Sequence, residues 1–422
     1  MNGHHPSPWP AEDGGPTRRQ LVERLPLTTP TATFRELFGA CMVVLRDPGE
    51  VFVQGAVPGP DSTGFVERVD PVTLATVARS PDLPGGPWWP GGMVAHADGG
   101  LYVTHGRHVH RLDAATLEPT ASVRLPRDHP YNSSLVLPDG RLVTKDFLGT
   151  SGVSTPAAGE TGSELVVLAP GTLEVLARHE LPEPSIARIS ATAYPTEVGP
   201  GIATVVVVGD TALHRITWDG TALAADAPPI TYRHEEGRGH GWDAVLIDGA
   251  AWFLDDGTGS ENFGPSFRGR GVCTAPLRLH RVPLDGSAPS SAEVCGRPGG
   301  LIANPPVVDP VRHVAIGYDS GNGVLTAFDV ADDGGLTTRW SVGADHAGHL
   351  LLDPGAGTVL TGDFDHERGT DVAVLRRVDD GAELWRVDTH SPVQSVLFPA
   401  PGWSGDCYVT TFAGITRLNP TG

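Results

Sequence analysis

The feature that most constrains the fold of this chain is a recurring segment, a short apolar run that ends in arginine, an apolar residue and often aspartate. The clearest copies lie at 66–70, followed by Thr73-Leu74, and at 109–113, followed by Thr116-Leu117. Looser copies lie at 165–174, 213–217, 279–282, 325–330, 374–379 and 415–419. The spacing is mostly about 40 to 60 residues, the period of a four-stranded propeller blade and not of a helical solenoid. The eight copies therefore predict about eight blades.

Each repeat divides into four short strands separated by turn residues. In the second repeat we predict strands at 92–97, 101–105, 108–112 and 120–125. The 54 glycines and 39 prolines, with only 19% charged residues, suit a turn-rich all-β chain and exclude a coiled coil or a long helical bundle. No apolar run approaches the roughly 20 residues that cross a bilayer, so no membrane span is predicted.

The two ends of the chain are predicted to share one blade. The last repeat has only three strands, at 393–399, 407–413 and 415–418, and residues 20–25 are predicted to supply the fourth. Sharing a sheet in this way closes a ring without exposed edge strands. We therefore predict an eight-bladed β-propeller, with seven blades as the alternative, formed by residues 20–422 as one domain after a loosely ordered segment at 1–19.

On these repeats the chain resembles the β-propeller superfamily, especially the eight-bladed type seen in quinoproteins. The tryptophan-docking repeat signature and the adjacent cysteine pair of many quinoprotein dehydrogenases are absent from the sequence. The resemblance therefore implies a fold, and a fold does not define an activity.

Charge and cysteine content bound the partners and the compartment. Fifty acidic and 30 basic residues give a formal net charge of −20, which repels a nucleic-acid backbone. The first twenty residues lack the apolar core of a secretory signal. The four cysteines, at positions 41, 273, 295 and 407, form no C-x-x-C pair. We expect a cytoplasmic protein with reduced thiols and no nucleic-acid partner; a pairing of Cys273 with Cys295 stays open.

A propeller places the starts of the first strand (A) and the ends of the second strand (B) of its blades on one face, here called the rim. Strand A runs away from that face and strand B returns to it. At A-strand starts the sequence places Trp89, His129, Tyr131, Asn132, Arg188, His240, Trp242, Asp243, Asn304, Asp345, His349, His390 and Gln394, and at B-strand ends Lys145, Asp146, Asp255, Asp363 and His366. Long B–C loops at 149–163 and 257–276 belong to the same face. Long loops on a rigid scaffold are typical of binding sites.

Acid–base chemistry is the first interpretation of the rim. His240 near Asp243, and Lys145 beside Asp146, supply basic and acidic groups whose pKa values partial burial would bring toward neutrality. Lys145, the only lysine in the chain, has a structural ion pair with Asp146 as its alternative role. The predicted substrate-binding residues are Trp89, Tyr131, Asn132, Arg188, Trp242, Asp255, Asn304 and Gln394. Arg268 and Arg270, in the longest loop, are candidates for a carboxylate or phosphate clamp.

Metal binding is the second interpretation. Separate blades start with His129, His240, His349 (or its neighbour His346) and His390, so their imidazoles would meet at a central iron or other transition metal. Such a set resembles the four-histidine iron centre of carotenoid-cleaving oxygenases, another propeller family. The acidic run Asp363, Asp365 and Glu367, with Asp371, would suit calcium, although it lacks the glycine and terminal glutamate of an EF-hand loop.

These observations favour an enzyme that acts on a small organic molecule at the rim, as a lyase, a hydrolase or a cyclase-isomerase. One alternative is a metal-dependent oxygenase or oxidase with a histidine ring. Another is a non-catalytic scaffold that binds a protein partner, which would present an apolar patch and no enclosed pocket. The sequence leaves the substrate and the oligomeric state undefined.

Overall fold

The fold is an eight-bladed β-propeller, as predicted, and the seven-bladed alternative is wrong. The structure is a computed structural model that describes residues 3–59, 61–149, 154–193, 201–225, 227–233, 239–255, 264–302, 304–394 and 398–420. Within these ranges the strands form eight antiparallel sheets, each with a path of four strands, and the helical content is a 3₁₀ turn at Glu12–Gly14. No helix in the same ranges has the length and apolarity to cross a membrane.

The chain divides into two compact units with four blades each. Unit 1 comprises Met1–Arg18 and Phe38–Pro229, and unit 2 comprises Arg19–Leu37 and Ile230–Gly422. The single domain predicted for residues 20–422 stays a prediction. The first strand, β1 (Thr31–Glu36), belongs to unit 2.

Unit 1 contains blades 1 to 4, in which the strands pair in chain order. Blade 1 is β2 (Ala40–Leu45), β3 (Val51–Val57), β4 (Ser62–Val69) and β5 (Thr76–Arg79), with β6 (Leu83–Gly86) added beside β4. Blade 2 is β7 (Pro90–Ala95), β8 (Gly100–His105), β9 (His108–Asp113) and β10 (Pro119–Arg124). Blade 3 is β11 (Leu135–Val136), β12 (Leu142–Lys145), β13 (Glu164–Leu168) and β14 (Val175–Glu180). Blade 4 is β15 (Ser190–Ala193), β16 (Ala203–Val208), β17 (Ala212–Trp218) and β18 (Leu223–Ala225).

Unit 2 contains blades 5 to 8 and, besides β1, the short strand β19 (Ile230–Thr231). Blade 5 is β20 (Val245–Ile247), β21 (Ala250–Leu254), β22 (Arg278–Pro283) and β23 (Ser290–Glu293). Blade 6 is β24 (Val307–Asp309), β25 (Val314–Asp319), β26 (Val324–Val330) and β27 (Leu336–Gly343). Blade 7 is β28 (Leu351–Asp353), β29 (Thr358–Asp365), β30 (Thr370–Arg377) and β31 (Glu383–Asp388). Blade 8 is β32 (Ala400–Pro401), β33 (Cys407–Thr411) and β34 (Gly414–Asn419), with β1 as its outer strand.

Blade 8 is completed by an N-terminal strand, but the strand is β1 and not residues 20–25. Strand β1 pairs antiparallel with β34, with Thr31 opposite Asn419. The predicted segment is held elsewhere, because the Gln20 amide donates to the Pro306 carbonyl (2.9 Å) and accepts from the Leu350 N–H (2.8 Å). Part of the predicted strand at 393–399, namely 395–397, lies outside the described residues.

The recurring aspartate and leucine of the repeat build the C–D turns of the first blades. Asp113 Oδ1 accepts hydrogen bonds from the N–H groups of Ala115 and Thr116. Leu117 then takes a left-handed backbone conformation, φ 62°, and its side chain is fully buried. Leu74 and Leu173 repeat this conformation, with φ 61° at both positions. The repeat therefore encodes a capped turn that directs a leucine into the blade.

Leu117→Ala is expected to lower the free energy of unfolding by about 2–4 kcal/mol, because a buried leucine leaves a cavity when it is shortened. Leu176→Ala, at a side chain 39% exposed, is the matched control and should change stability by about 1 kcal/mol or less. Urea unfolding followed by circular dichroism measures both variants. Equal losses in the two variants would contradict this role for the turn leucine.

The N-terminal segment is not loose in the structure but packs within unit 1. Its backbone pairs with the inner strands of three blades: Trp9 O accepts from Leu45 N–H, Pro10 O from Ala95 N–H and Pro16 O from Ala191 N–H. Trp9, Glu12 and Arg18 are each at most 1% exposed. Arg18 explains the burial of this polar segment, because it donates to Asp13 (2.9 Å), to Glu12 and to the carbonyl of Ile189 (2.8 Å).

The four cysteines are free thiols, so Cys273 and Cys295 are not paired. Burial raises the pKa of the Cys41 and Cys407 thiols far above the usual range. These two thiols are therefore inert at neutral pH.

Candidate functional site

Lys145 and Asp146, two of the predicted catalytic residues, have structural roles in blade 3. The buried Lys145 Nζ donates to the main-chain carbonyls of Asp146 and Ser185, both at 2.6 Å. Asp146 Oδ1 accepts from Glu164 N–H (2.9 Å), and its Oδ2 pairs with Arg127 (3.0 Å). Burial raises the pKa of Asp146, against the opposing charges of Lys145 and Arg127. Neither side chain faces solvent, so both hold the rim of the blade together.

Asp255, predicted to bind substrate, is the blade 5 counterpart of Asp146. Its Oδ1 accepts from Arg278 N–H at 2.6 Å, the first residue of strand C, as Asp146 does from Glu164. Its Oδ2 pairs with His280 Nε2 at 2.9 Å. An aspartate at the end of strand B thus caps the start of strand C in two blades, and this common role explains why the pattern recurs in the sequence.

The predicted substrate-binding residues of unit 1 come together, but as packing and not as an open surface. The Arg188 guanidinium is buried and donates to the carbonyls of Gly91 and Asn132, the latter at 2.6 Å, and to Glu12 Oε1 (3.0 Å). A Cβ at Gly92 would lie 2.0 Å from Glu12 Oε1, so this position requires glycine. The N-terminal segment thus occupies the place where a ligand of Arg188 would bind.

The remaining residues of this group are also buried. Tyr131 is fully buried and forms a bridge with Asp146. The Asn132 side chain donates to the Ile186 carbonyl at 2.6 Å. Trp89 is 9% exposed, and its ring lies 4.4 Å from that of Phe147.

His129 fixes the long loop of blade 3. Its ring nitrogens contact Ser154 Oγ (2.5 Å) and Glu160 Oε2 (2.6 Å). Beside it the Arg127 guanidinium contacts several carboxylates in one network, with N–O distances of 3.0 Å to Asp146, 3.0 Å to Glu180, 3.6 Å to Glu160 and 3.8 Å to Glu164. Burial acts to raise the pKa of Glu160, but hydrogen bonds from Ala157 N–H and His129 lower it overall. The network ties the described part of this loop, 154–163, to the blade.

In unit 2, the predicted residues of blade 5 are buried at the rim. His240, Trp242 and Asp243 are at most 5% exposed. Burial, aided by the charge of Arg233, lowers the pKa of His240 to about 4, so this imidazole is neutral at pH 7. The Asn304 side chain donates to the Ala347 carbonyl at 2.8 Å. An acid–base role for His240 is therefore not supported by its burial.

The four histidines predicted to bind a metal do not assemble. In the ranges that the structure describes, no three histidine, cysteine, aspartate or glutamate side chains are placed to hold a metal ion. Both ring nitrogens of His129 have protein partners. The side chain of His390 is 57% exposed, on a turn with φ 64°. His349 is 4% exposed, with its ring 4.1 Å from that of Phe398.

The acidic run of blade 7 does not form a calcium site either. Asp363 Oδ1 accepts from Asp345 N–H (2.9 Å), and its Oδ2 pairs with Arg386 (3.1 Å). Asp365 caps the next turn by accepting from the N–H groups of Glu367 and Arg368, both at 3.0 Å. The carboxylates serve different partners and do not converge on one point.

The best candidate for chemistry is a histidine that a buried carboxylate orients, at the rim of blade 7. Asp345, before β28, is 2% exposed, and its Oδ2 accepts a hydrogen bond from His366 Nε2. The His366 side chain is 52% exposed, so the imidazole meets solvent while its orientation is fixed. Arg268 NH2 lies 2.6 Å from Asp345 Oδ1, and its side chain is 48% exposed.

Gln394 links this group to the long loop of blade 5. Its side chain donates to the Asp345 carbonyl (2.6 Å) and accepts from Phe267 N–H (2.9 Å). Its main-chain N–H donates to Pro265 O at 2.7 Å, and the Phe267 side chain is fully buried. Gln394 thus anchors the described part of the loop, 264–276, next to Asp345.

The sequence placed Asp345, His366 and Gln394 on the rim but gave the catalytic roles to other residues. Neighbours in sequence such as Lys145 and Asp146 suggest a pair, whereas Asp345 and His366 are 21 residues apart, one before strand A and the other in the B–C turn of blade 7. The loop arginine Arg268 was considered only as a clamp. The sequence feature that indicates the contact is the position of Asp345 at the start of strand A and of His366 in the loop after strand B of the same blade.

Several solved structures share the fold of this chain. The chain is similar to the quinohemoprotein alcohol dehydrogenase ADHIIG from Pseudomonas putida HK5, with a TM-score of 0.61 and 12% identity over 98% of this chain and 80% of that one. A quinohemoprotein alcohol dehydrogenase from Comamonas testosteroni gives a TM-score of 0.61 and 13% identity over 97% of this chain and 80% of that one. BamB from Moraxella catarrhalis gives a TM-score of 0.56 and 12% identity over 93% of this chain and 98% of that one.

Identities this low show the fold alone. No protein-family model and no curated protein matches the chain. The propeller class is therefore defined by the structure.

Proposed function

We propose that the protein is an enzyme that transfers a proton on a small organic acid, with His366 as the acid–base residue. The observation that carries the proposal is the half-exposed imidazole of His366 held by the buried carboxylate of Asp345. An imidazole whose one nitrogen donates to a carboxylate keeps the other nitrogen available as a base, in a fixed orientation. The reaction class is that of a lyase or an isomerase.

The proton transfer follows from the two ring nitrogens. The His366 Nε2–H donates to Asp345 Oδ2, so the Nδ1 lone pair accepts a proton from a substrate carbon next to a carboxylate. Asp345 stabilises the imidazolium that forms. The same proton returns to another atom of the substrate in an isomerase, or a group leaves from the neighbouring carbon in a lyase.

Arg268 supplies the binding charge for a carboxylate substrate. Its NH1 donates to the Asn322 carbonyl at 2.9 Å and its NH2 lies beside Asp345, which fixes the guanidinium while almost half of the side chain is exposed. Arg297 NH2 reaches the same Asn322 carbonyl at 3.4 Å. Two guanidinium groups thus converge at this rim although the chain carries a formal charge of −20, and guanidinium groups bind carboxylates by paired hydrogen bonds.

Hydrogen–deuterium exchange tests the proposal. The purified protein is incubated in D₂O with a panel of small carboxylic acids that carry acidic α-hydrogens, and deuterium incorporation is followed by NMR. We expect exchange into at least one acid. His366→Asn should slow it by a factor of about 10²–10⁴, the usual contribution of an acid–base residue, and Arg268→Gln should raise the half-saturating acid concentration by about tenfold or more.

His390→Asn is the matched control, since His390 is similarly exposed and lies near a carboxylate, 3.6 Å from Asp388. It should leave the exchange rate unchanged. Exchange that persists in the His366 variant, or a panel in which no acid exchanges or binds, would contradict the proposal.

A further inference from the structure

A groove of about 270 Å³ lies in unit 2 between the A–B turns of blades 5 and 6 and the C–D turn of blade 6, at the end of these blades away from the rim. Trp252 and Arg281 line it from blade 5, and Val308 and Val330 line it from blade 6. A volume just below the range of drug-sized pockets suits a ligand of a few to a dozen heavy atoms. None of the rim residues discussed above contributes to this groove.

Arg281 is the unusual residue of the groove. Its guanidinium carbon lies 5.9 Å from the centroid of the Trp252 ring, and a Cβ at Gly334 would lie 2.5 Å from its NH1. Asp285 is near enough for an electrostatic interaction with this guanidinium. The guanidinium makes no hydrogen bond or ion pair with any residue that the structure describes. The Trp252 Nε1–H is buried and also lacks a partner among those residues. A partly exposed guanidinium without a protein partner therefore lies beside a buried indole N–H that has none.

Blade 2 shows how the same positions are normally filled. Tyr102 pairs with Arg111 in the register in which Trp252 pairs with Arg281. The Tyr102 hydroxyl donates to Asp98 (2.6 Å) and accepts from Arg111 Nε (3.1 Å), which itself lies 3.3 Å from Asp98. Every polar group of this triad has a partner within the blade.

Blade 8 repeats the closed arrangement. Tyr408 is opposite Arg417, and Arg417 Nε donates to Asp406 at 2.6 Å. In blade 5 the indole of Trp252 has no oxygen to accept from Arg281, and Asp248, at the position of Asp98, makes no ion pair with it within the described residues. Blade 5 therefore carries the triad in an open form.

The other charged groups of the groove indicate which charges a ligand must carry to bind there. The carboxylates of Asp248 and Asp332 are exposed and have no hydrogen-bond or ion-pair partner among the described residues. Asp309 is already engaged by Arg312 at 3.1 Å and by two main-chain N–H groups, and His313 is exposed at the mouth. The groove thus offers one free cation, two free carboxylates and an apolar wall.

We infer that this groove binds a small zwitterion, an α-amino acid with an apolar side chain. Arg281 and the Trp252 Nε1–H bind the carboxylate, Asp248 or Asp332 binds the ammonium group, and the side chain lies against Val308 and Val330. A simple anion would meet the two free carboxylates, and a simple amine would meet the free guanidinium, so each would bind more weakly than the zwitterion.

Ligand-observed NMR and calorimetry on the full chain test this site with three probes of the same carbon skeleton. L-leucine carries both charges, 4-methylpentanoate lacks the ammonium group and 3-methylbutylamine lacks the carboxylate. We expect L-leucine to bind about tenfold or more tightly than either of the other two. Equal binding of one of the singly charged probes, or no binding of L-leucine, would overturn the inference.

Two variants tie the binding to the open triad. Trp252→Tyr restores the hydroxyl of blade 2 and should close the triad, with a loss of about tenfold or more in L-leucine affinity. Arg281→Gln should cause a similar loss without a core change, which covers the case in which the tryptophan variant fails to fold. Arg111→Gln in blade 2 is the control and should leave the affinity unchanged. Wild-type affinity in Arg281→Gln would overturn the site.

Discussion

Acidification below pH 6.5 is expected to destabilise this protein steeply, by roughly 1 kcal/mol per pH unit for each buried neutral histidine. Burial lowers the pKa of several histidines from the usual 6.5, to about 4 for His4, His110 and His240 and to about 3 for His105 and His346. Nearby histidine or arginine side chains lower these pKa values further, whereas a backbone hydrogen bond raises the pKa of His110 and that of His346. Both units contain such histidines, so the effect is expected throughout the chain.

The direction of this pH effect follows from the protonation of the histidines in the unfolded and the folded protein. In the unfolded chain these histidines take up protons as the pH falls through 6.5, whereas in the folded protein they stay neutral down to about 3 or 4. The stability contribution is complete above pH 6.5 and is lost as the pH falls from there toward the folded pKa values. Glu12 and Asp146, whose pKa values burial raises, act in the opposite direction and offset part of the loss.

Urea unfolding at pH 7, 6 and 5 measures the effect. The midpoint should fall over this range, and the slope of the unfolding free energy against pH should correspond to the uptake of several protons. His105→Gln should reduce that uptake by about one proton, since His105 is fully buried and bonded through Nε2 to Ser62 Oγ at 3.0 Å. His390→Gln, at an exposed side chain, should not change it. A midpoint that is flat from pH 7 to pH 5 would contradict the prediction.

Arg18→Met is expected to lower the free energy of unfolding by about 3–5 kcal/mol, because it leaves two buried carboxylates without their main partner. Arg18 is fully buried and bonds Glu12, Asp13 and the carbonyl of Ile189 through separate nitrogens. Arg18→Lys keeps the charge but cannot supply three directed donors in the arginine geometry, so an intermediate loss is expected.

Thermal and urea unfolding of both Arg18 variants are compared with Arg377→Met. Arg377 is 47% exposed and pairs with Asp380 on the surface, and an exposed ion pair contributes about 1 kcal/mol or less. If Arg18→Met were no more destabilising than Arg377→Met, the N-terminal segment would not be an integral part of unit 1.

The sequence repeat predicts the blades well because it consists of patterns between residues that are close in sequence. Alternating strands and the capped turn before Leu117 depend on residues a few positions apart, and each reappears in several blades. The closing strand was misplaced because β1 is specified only by its pairing with β34. The N-terminal segment appeared loose because its order rests on contacts with distant strands, such as that of Arg18 with Ile189, 171 residues away.

The site was harder to predict because rim position alone does not distinguish structural from exposed polar groups. Asp146 and Asp255 recur at strand ends because they cap strand C, and Asp255 also pairs with His280. Asp345 and His366 share no such repeated pattern. Only the three-dimensional structure shows that one is buried, that the other is exposed and that the two are in contact.

The pairing of β1 with β34 also determines when the last blade can form during synthesis. Asn419 and Thr33, whose side chains are hydrogen-bonded at 3.0 Å, are 386 residues apart. A nascent chain therefore carries β1 unpaired until β34 has left the ribosome, whereas blades 1 to 7 have their strands in sequence and can pair as they emerge. Completion of blade 8 therefore has to wait for the synthesis of β34, and a ribosome stalled just before β34 would hold a chain with β1 still open to pairing with other molecules.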